Sequence, residues 1–260
     1  MPSIEESKCI LVTGATAGIG RALALALAKL PSKPQVIAAG RRQDRLRELK
    51  DAGLETFELE LDADAASLKR TVDVILEKYP QLDAVILNAG VQHEFDFKKE
   101  VDIAKLQTEL NINFTSVATT IAYLLPHFLK LSGASRSSFI IPVTAGLGII
   151  PAVWCPGYSA SKAALRSFTT SLRMQLKETK INVLEIIPPL VESELHDAEG
   201  TTEKLAKFWM PLDKYTEVTM EGLKKGDPII STAGSLTWYE KHEKDKEETA
   251  QQLLANRQKW

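Results

Sequence analysis

The stretch CILVTGATAGIG, residues 9–20, decides the fold. Cys9 to Thr13 is an unbroken apolar run of strand length, and from Ile19 to Leu30 small and large apolar residues recur at helical spacing. Between them lies a turn with glycines at positions 14, 18 and 20. Glycine lets a backbone turn sharply and approach a ligand closely, and the N-terminus of the following helix favours an anion such as a pyrophosphate. Gly14, Thr16, Gly18, Ile19 and Gly20 are therefore read as cofactor-binding positions. Ala22, Ala24, Ala26 and Ala28 would let this helix lie close to a sheet.

Outward from this turn the alternation of strand and helix continues. Strands are predicted over 35–39, 56–61, 82–87, 138–143 and 181–187, and helices over 43–52, 67–79, 104–131 and 158–177. Ala84 to Leu87, like Cys9 to Thr13, is apolar throughout rather than alternating, as expected where helices cover both faces of a parallel sheet. One α/β domain with a doubly wound sheet accounts for the whole of residues 1–260. After the last strong strand, residues 190–225 are expected to form a substrate lid, and 239–260 a charged C-terminal helix or tail.

The bulk numbers narrow the function. Thirty-two basic residues against 34 acidic give a net charge of -2, so there is no broad footprint for nucleic acid or an anionic membrane. Two cysteines, Cys9 and Cys155, suit a reducing compartment, and no apolar run is long enough for a signal segment or a membrane span. A cytoplasmic protein with a small-molecule partner is expected. His93, His127, His196 and His242 show no metal-ligand spacing, and no metal site is predicted.

The second predicted strand ends at Gly40-Arg41-Arg42, where an NAD-binding chain carries an acid for the ribose hydroxyls. A guanidinium there can pair with a ribose 2′-phosphate instead, so the expected cofactor is NADP(H), held by Arg41 and Arg42. Asp62 is placed to accept from the adenine amino group, with Asp64 a near rival, and Asn88, Ala89 and Gly90 end the fourth strand beside the cofactor. Tyr158 and Lys162 stand at i and i+4, on one helix face. An ammonium so placed is expected to lower the phenol's pKa and fit Tyr158 for acid/base work.

In order and spacing, the glycine turn, Asn88-Ala89-Gly90, Asn113 before Leu124-Leu125-Pro126, Tyr158 to Lys162 and Pro188 resemble the short-chain dehydrogenase/reductase family over about residues 8–195. The resemblance implies a Rossmann-type fold, with Lys162 on the nicotinamide ribose and tuning Tyr158. Asn113, rather than its rival Asn111, would support a proton relay, while Pro188 and Val191 would line the cofactor. Pro188-Pro189 in place of Pro-Gly is similar to the small bacterial and fungal reductases. It also implies a homodimer or homotetramer through the two long helices.

One position departs from the family. The catalytic serine's place, thirteen residues before Tyr158, is held by Ala145, which cannot donate a hydrogen bond. Three accounts stay open: Thr144 or a substrate group substitutes, the chain is an engineered serine-to-alanine variant, or its role is different. The expected activity is interconversion of a carbonyl compound and an alcohol. The alternative is NADP(H) binding without redox turnover, either regulatory or for a non-redox reaction. Pro151, Val153, Trp154, Cys155, Leu190 and Leu195 suggest an apolar substrate.

Overall fold

The computed structural model describes residues 2–257; the end of the expected C-terminal segment, 258–260, lies outside them. In chain order the strands are β1 (Cys9–Thr13), β2 (Gln35–Gly40), β3 (Glu55–Glu58), β4 (Ala84–Leu87), β5 (Ser138–Pro142), β6 (Ile181–Val183), β7 (Glu185–Ile187) and β8 (Ile229–Ser231). The helices that cover them are α1 (Gly18–Leu27), α2 (Gln43–Asp51), α3 (Ala65–Lys78), α4 (Ile103–Leu110), α5 (Ser116–Gly133), α6 (Pro156–Gln175), α7 (Thr202–Leu205), α8 (Leu212–Lys225), α9 (Ala233–His242) and α10 (Lys246–Arg257). Among the described residues the first six strands form one parallel sheet in the order β3-β2-β1-β4-β5-β6, and β7 pairs with β8. The strand order reverses between β1 and β4, which is where an open sheet of this kind leaves a ligand crevice.

Burial explains why the strands read as unbroken apolar runs. Ile10 and Val12 join one core with Val36, Ala38, Ala84 and Ile86, while Cys9 and Leu11 join a second with Ile37, Ala39, Val85 and Leu87. Alternate side chains point to opposite faces, and here both faces are dry. Helix α1 buries Gly20, Leu23, Ala24 and Leu27 in the first core, while Leu124, Phe128, Leu165 and Leu172 from α5 and α6 fill the second. No described helix is long and apolar enough to cross a membrane.

Several expectations are corrected. The helix expected over 104–131 is interrupted at Asn111–Thr115 by a π turn, which carries one more residue per hydrogen-bonded turn and turns Ile112 and Asn113 inward. The strand expected over 181–187, by contrast, runs through β6 and β7: the N–H of Leu184 donates to Ile140 on one side at 3.0 Å and the next, of Glu185, to Pro228 on the other at 2.8 Å, and the Thr144 N–H still reaches the Ile186 carbonyl at 2.9 Å. The expected lid is also shorter. From Leu212 onward the chain is α8, whose Tyr215, Met220 and Leu223 are buried in the first core. That leaves residues 190–211, with a short 3-10 segment Glu194–Glu199, across the mouth of the crevice. The charged C-terminal segment begins inside α9 and is anchored: Glu243 pairs with Arg166 and Glu247 with Arg173.

Candidate active site

The crevice is built first from backbone. Gly14 and Gly18 have φ of 65° and 48°, in the left-handed region where a side chain is strained. A Cβ on Gly20 would lie 2.3 Å from Asn88 Nδ2 and 2.4 Å from the Gly14 carbonyl oxygen, so α1 starts too close to β4 for any side chain. Asn88 ties the two strand ends together. Its Nδ2 donates to the carbonyls of Thr13 and Gly14 at 3.2 and 3.3 Å, and the Thr13 hydroxyl accepts from the N–H groups of Asn88 and Ala89 at 3.1 and 3.2 Å. Ala17, at the N-cap of α1, offers no side-chain acceptor to the first-turn N–H groups. Those donors, with the helix dipole behind them, fit a pyrophosphate.

At the end of β2, Arg42 turns back over the glycine turn, its Nε donating to the Thr16 hydroxyl at 3.1 Å. Arg41 points elsewhere, 3.8 Å from Glu60. Of the two arginines read as phosphate ligands, Arg42 therefore faces the crevice. The two aspartates are engaged differently. Asp64 caps α3, accepting from the Ser67 N–H at 2.8 Å, and this bond holds its carboxyl below the ordinary range. Asp62 is exposed and accepts from Asn111 Nδ2 at 2.8 Å and from the Thr108 hydroxyl at 3.3 Å. Asn111, the rival to Asn113, is thereby spent on Asp62.

Asn113 goes the other way. It is fully buried, accepting from the Val91 N–H at 2.9 Å and donating to the Val91 carbonyl at 2.8 Å and to the Ser161 hydroxyl at 3.0 Å. Ser161 in turn donates to the Tyr158 carbonyl at 2.7 Å. The π turn thus delivers a side chain that locks the end of β4 to the first turns of α6. Lys162 is buried, its Nζ donating to the Val143 carbonyl at 2.9 Å and lying 5.7 Å from the centre of the Tyr158 ring. A Cβ on Gly90 would be only 3.5 Å from the same ammonium and 3.1 Å from Asn113 Oδ1. Residues 90, 113, 158 and 162 converge as the sequence implies.

The electrostatics differ from the expectation. Burial pushes the Tyr158 phenol well above its ordinary range, with the charges of Cys155 and Glu109 adding to the rise. Lys162, also desolvated, is held down to about 8. The predicted lowering of the phenol by the ammonium is not found in the chain itself: burial and the two neighbouring acidic groups all raise it.

Ala145 lies against Tyr158, Ala152 and Cys155, with Leu195 packed alongside. Thr144 cannot take its part: it is buried, and its hydroxyl donates to Glu185 Oε1 at 2.7 Å. Among the apolar residues expected around the substrate, Cys155 is buried whereas Val153 and Trp154 are 84% and 54% exposed. Val153 borders a shallow cleft of about 300 Å³, lined also by Leu147, Ile149 and Pro151. The backbone of Val191 pairs with Met210, closing the base of the 190–211 segment, and the Pro188 carbonyl accepts from the Gly146 N–H at 3.0 Å.

Three residues at the site have no sequence motif to announce them. Glu109, on α4, is fully buried beside Tyr158 and Lys162; it accepts the His93 N–H at 2.8 Å and lies 2.3 Å from where a Gly157 Cβ would be. Its only signal is its position, one helical turn before Asn113. Ser193 and Glu194, from the far end of the sheet, lie against Gly18 and Arg42 respectively.

The family model described as short chain dehydrogenase matches residues 8–204. The chain belongs to the short-chain dehydrogenase/reductase family. As an oxidoreductase of this type it is similar to the uncharacterized oxidoreductase DltE of Bacillus subtilis, 34% identical over 225 residues, covering 85% of this chain and 86% of that one. An NADP-dependent 3-hydroxy acid dehydrogenase of Schizosaccharomyces pombe is 29% identical over 238 residues, covering 86% and 90% of the two chains. A closed form of serine dehydrogenase complexed with NADP+ superposes with a TM-score of 0.70 at 26% identity, over 80% of this chain and 86% of that one. The match takes in every site residue from Gly14 to Glu194.

Proposed function

We propose that this short-chain dehydrogenase/reductase is an NADP(H)-dependent enzyme that interconverts a small, largely apolar carbonyl compound and its alcohol. The observation that carries the reading is the convergence of Tyr158, Lys162 and Asn113 at the end of β4, in a crevice whose other wall presents Arg42 where an NAD-binding chain would carry an acid. The Arg42 guanidinium and the uncapped start of α1 would hold the 2′-phosphate and the pyrophosphate. Bound NADP(H) supplies or accepts the hydride.

The chain's own residues handle the proton. Tyr158 gives it to the carbonyl oxygen in reduction and takes it back in oxidation. The phenol, raised further by burial, is protonated at neutral pH, as the donor's part requires. Lys162, next to Gly90, would meet the nicotinamide ribose, and Asn113 keeps the π turn and the Val91 backbone in place beside it. Ala145 offers the substrate oxygen no hydrogen bond, so the tyrosine works without its usual neighbour. We place the enzyme in the cytoplasm and infer self-association through α4, α5 and α6.

Oxidation of NADPH and NADH by the parent and by Ala145→Ser, across ketones, aldehydes and diketones, tests the reading. NADPH-linked turnover that is lost in Tyr158→Phe supports it. The methyl of Ala145 against Tyr158 favours a second reading, a cofactor-binding protein without redox turnover. NADPH binding by both variants with no oxidation on any substrate would put that reading first.

A further inference from the structure

Arg42 is not held by Thr16 alone. The carboxylate of Glu194, from the segment that follows β7, lies 2.6 Å from Arg42 Nη1 and 3.4 Å from Arg45 Nη2. The preceding Ser193 has its Cβ 3.1 Å from where a Gly18 Cβ would be, so the chain crosses directly over the glycine turn. Ser193 also accepts the Leu195 N–H at 3.4 Å, setting the course of the 3-10 segment. Arg42 and Arg45, which follow β2, thus share the carboxylate of Glu194 beside the glycine turn.

A ribose 2′-phosphate and Glu194 ask for the same donors. The phosphate carries about -1.5 to -2 charges at neutral pH, and a carboxylate in contact with the same guanidinium would repel it. We propose that Glu194 is a specificity-determining residue: it competes with the 2′-phosphate of NADP(H) for Arg42 and Arg45. This rests on the NADP(H) reading above and adds a cost to it. NADP(H) must displace the carboxylate, and with it the start of the 190–211 segment, whereas NAD(H), lacking the phosphate, leaves the pair intact. Glu194 thereby narrows the preference for NADP(H) over NAD(H) and links the phosphate to the segment beside Leu195 and Tyr158.

Calorimetric titration of the whole protein with 2′,5′-ADP and with 5′-ADP separates the two ideas without turnover. The parent and Glu194→Gln are compared with Asp51→Asn, the same charge change at the exposed C-terminal end of α2, away from Arg42 and Arg45. An exposed ion pair is worth up to about 1 kcal/mol, so Glu194→Gln is expected to tighten 2′,5′-ADP about three- to fivefold and to leave 5′-ADP within a factor of about two. A gain equalled by Asp51→Asn would be a general charge effect and overturns the inference. So does equal affinity of parent and Glu194→Gln for 2′,5′-ADP; a parent that still prefers 2′,5′-ADP to 5′-ADP then leaves the NADP(H) reading standing. Absence of any preference in both proteins, or of any binding, overturns the inference and the NADP(H) reading together.

Discussion

The hydroxyl of Thr144 donates to the carboxylate of Glu185 at 2.7 Å, inside the core and in competition with nothing in the crevice. Its neighbour Ala145 is the residue that meets Tyr158. Adjacent positions on an extended chain face opposite ways, and this pair fixes which of them the substrate oxygen would meet. Ala145→Ser is therefore expected to raise carbonyl reduction about a hundredfold, the value of one preorganised donor. Thr144→Val should leave turnover unchanged and cost about 1 kcal/mol of stability for the lost hydrogen bond. Steady-state rates and urea midpoints for both variants check this; a large fall in turnover for Thr144→Val would contradict the assignment.

Lys162 makes stability depend on pH in a definite direction. Its folded value of about 8 lies below the ordinary 10.5, so between these the unfolded chain keeps a proton that the native chain has shed. Stability from this group therefore rises with pH across that window and is flat below it. In urea melts at pH 7 and pH 9.5, the parent should gain about 2 kcal/mol relative to Lys162→Met. Parallel behaviour of the two proteins would show that the ammonium is not desolvated as described.

Gly20→Ala is expected to open the crevice. The new methyl would meet Asn88 Nδ2 at 2.3 Å, and the clasp between β1 and β4 must shift to admit it. Overpacking of this kind costs about 1–3 kcal/mol. NADPH affinity, followed by fluorescence titration, should fall at least about tenfold. Unaltered affinity would mean that the start of α1 does not touch the cofactor.

Arg166 is buried with Glu185, whose Oε1 it reaches at 2.7 Å, and also pairs with Glu243. Burial already pushes the Glu185 carboxyl up, while Arg166 pulls it down. Removing one partner leaves the other charge unpaired in the core, so Arg166→Met should destabilise by about 3–5 kcal/mol, whereas Arg166→Met with Glu185→Leu should recover much of that. Thermal melts of the two single variants and the double variant form the cycle. Additive losses would argue against a direct pair.

The sheet and the helix of Tyr158 and Lys162 were legible because their signals are local. Apolar runs of strand length, glycines between strand and helix, and a tyrosine four residues before a lysine all act within one or two turns of chain. The π turn was not legible, since the residue it turns inward, Asn113, has its partner at Val91, 22 residues away. Glu109 escaped for a related reason: a glutamate on a helix reads as solvated until the neighbouring elements are known to cover it. The Glu194 to Arg42 contact spans 152 positions, and no local signal announces it. The raised phenol of Tyr158 reflects burial, which spacing alone does not report.

The clasp of Asn88 on Thr13 and Gly14 also bears on how the protein is made. Its donors and acceptors are about 75 positions apart, so neither wall of the crevice exists as a surface until the fourth strand has paired with the first. As a nascent chain leaves the ribosome, the glycine turn emerges early and must wait, flexible and exposed, for a partner strand synthesised several seconds later. The proposed capture of a nucleotide thus requires a polypeptide that reaches at least through the fourth strand. A release-stalled fragment ending before residue 88 would carry the whole glycine fingerprint and hold no nucleotide.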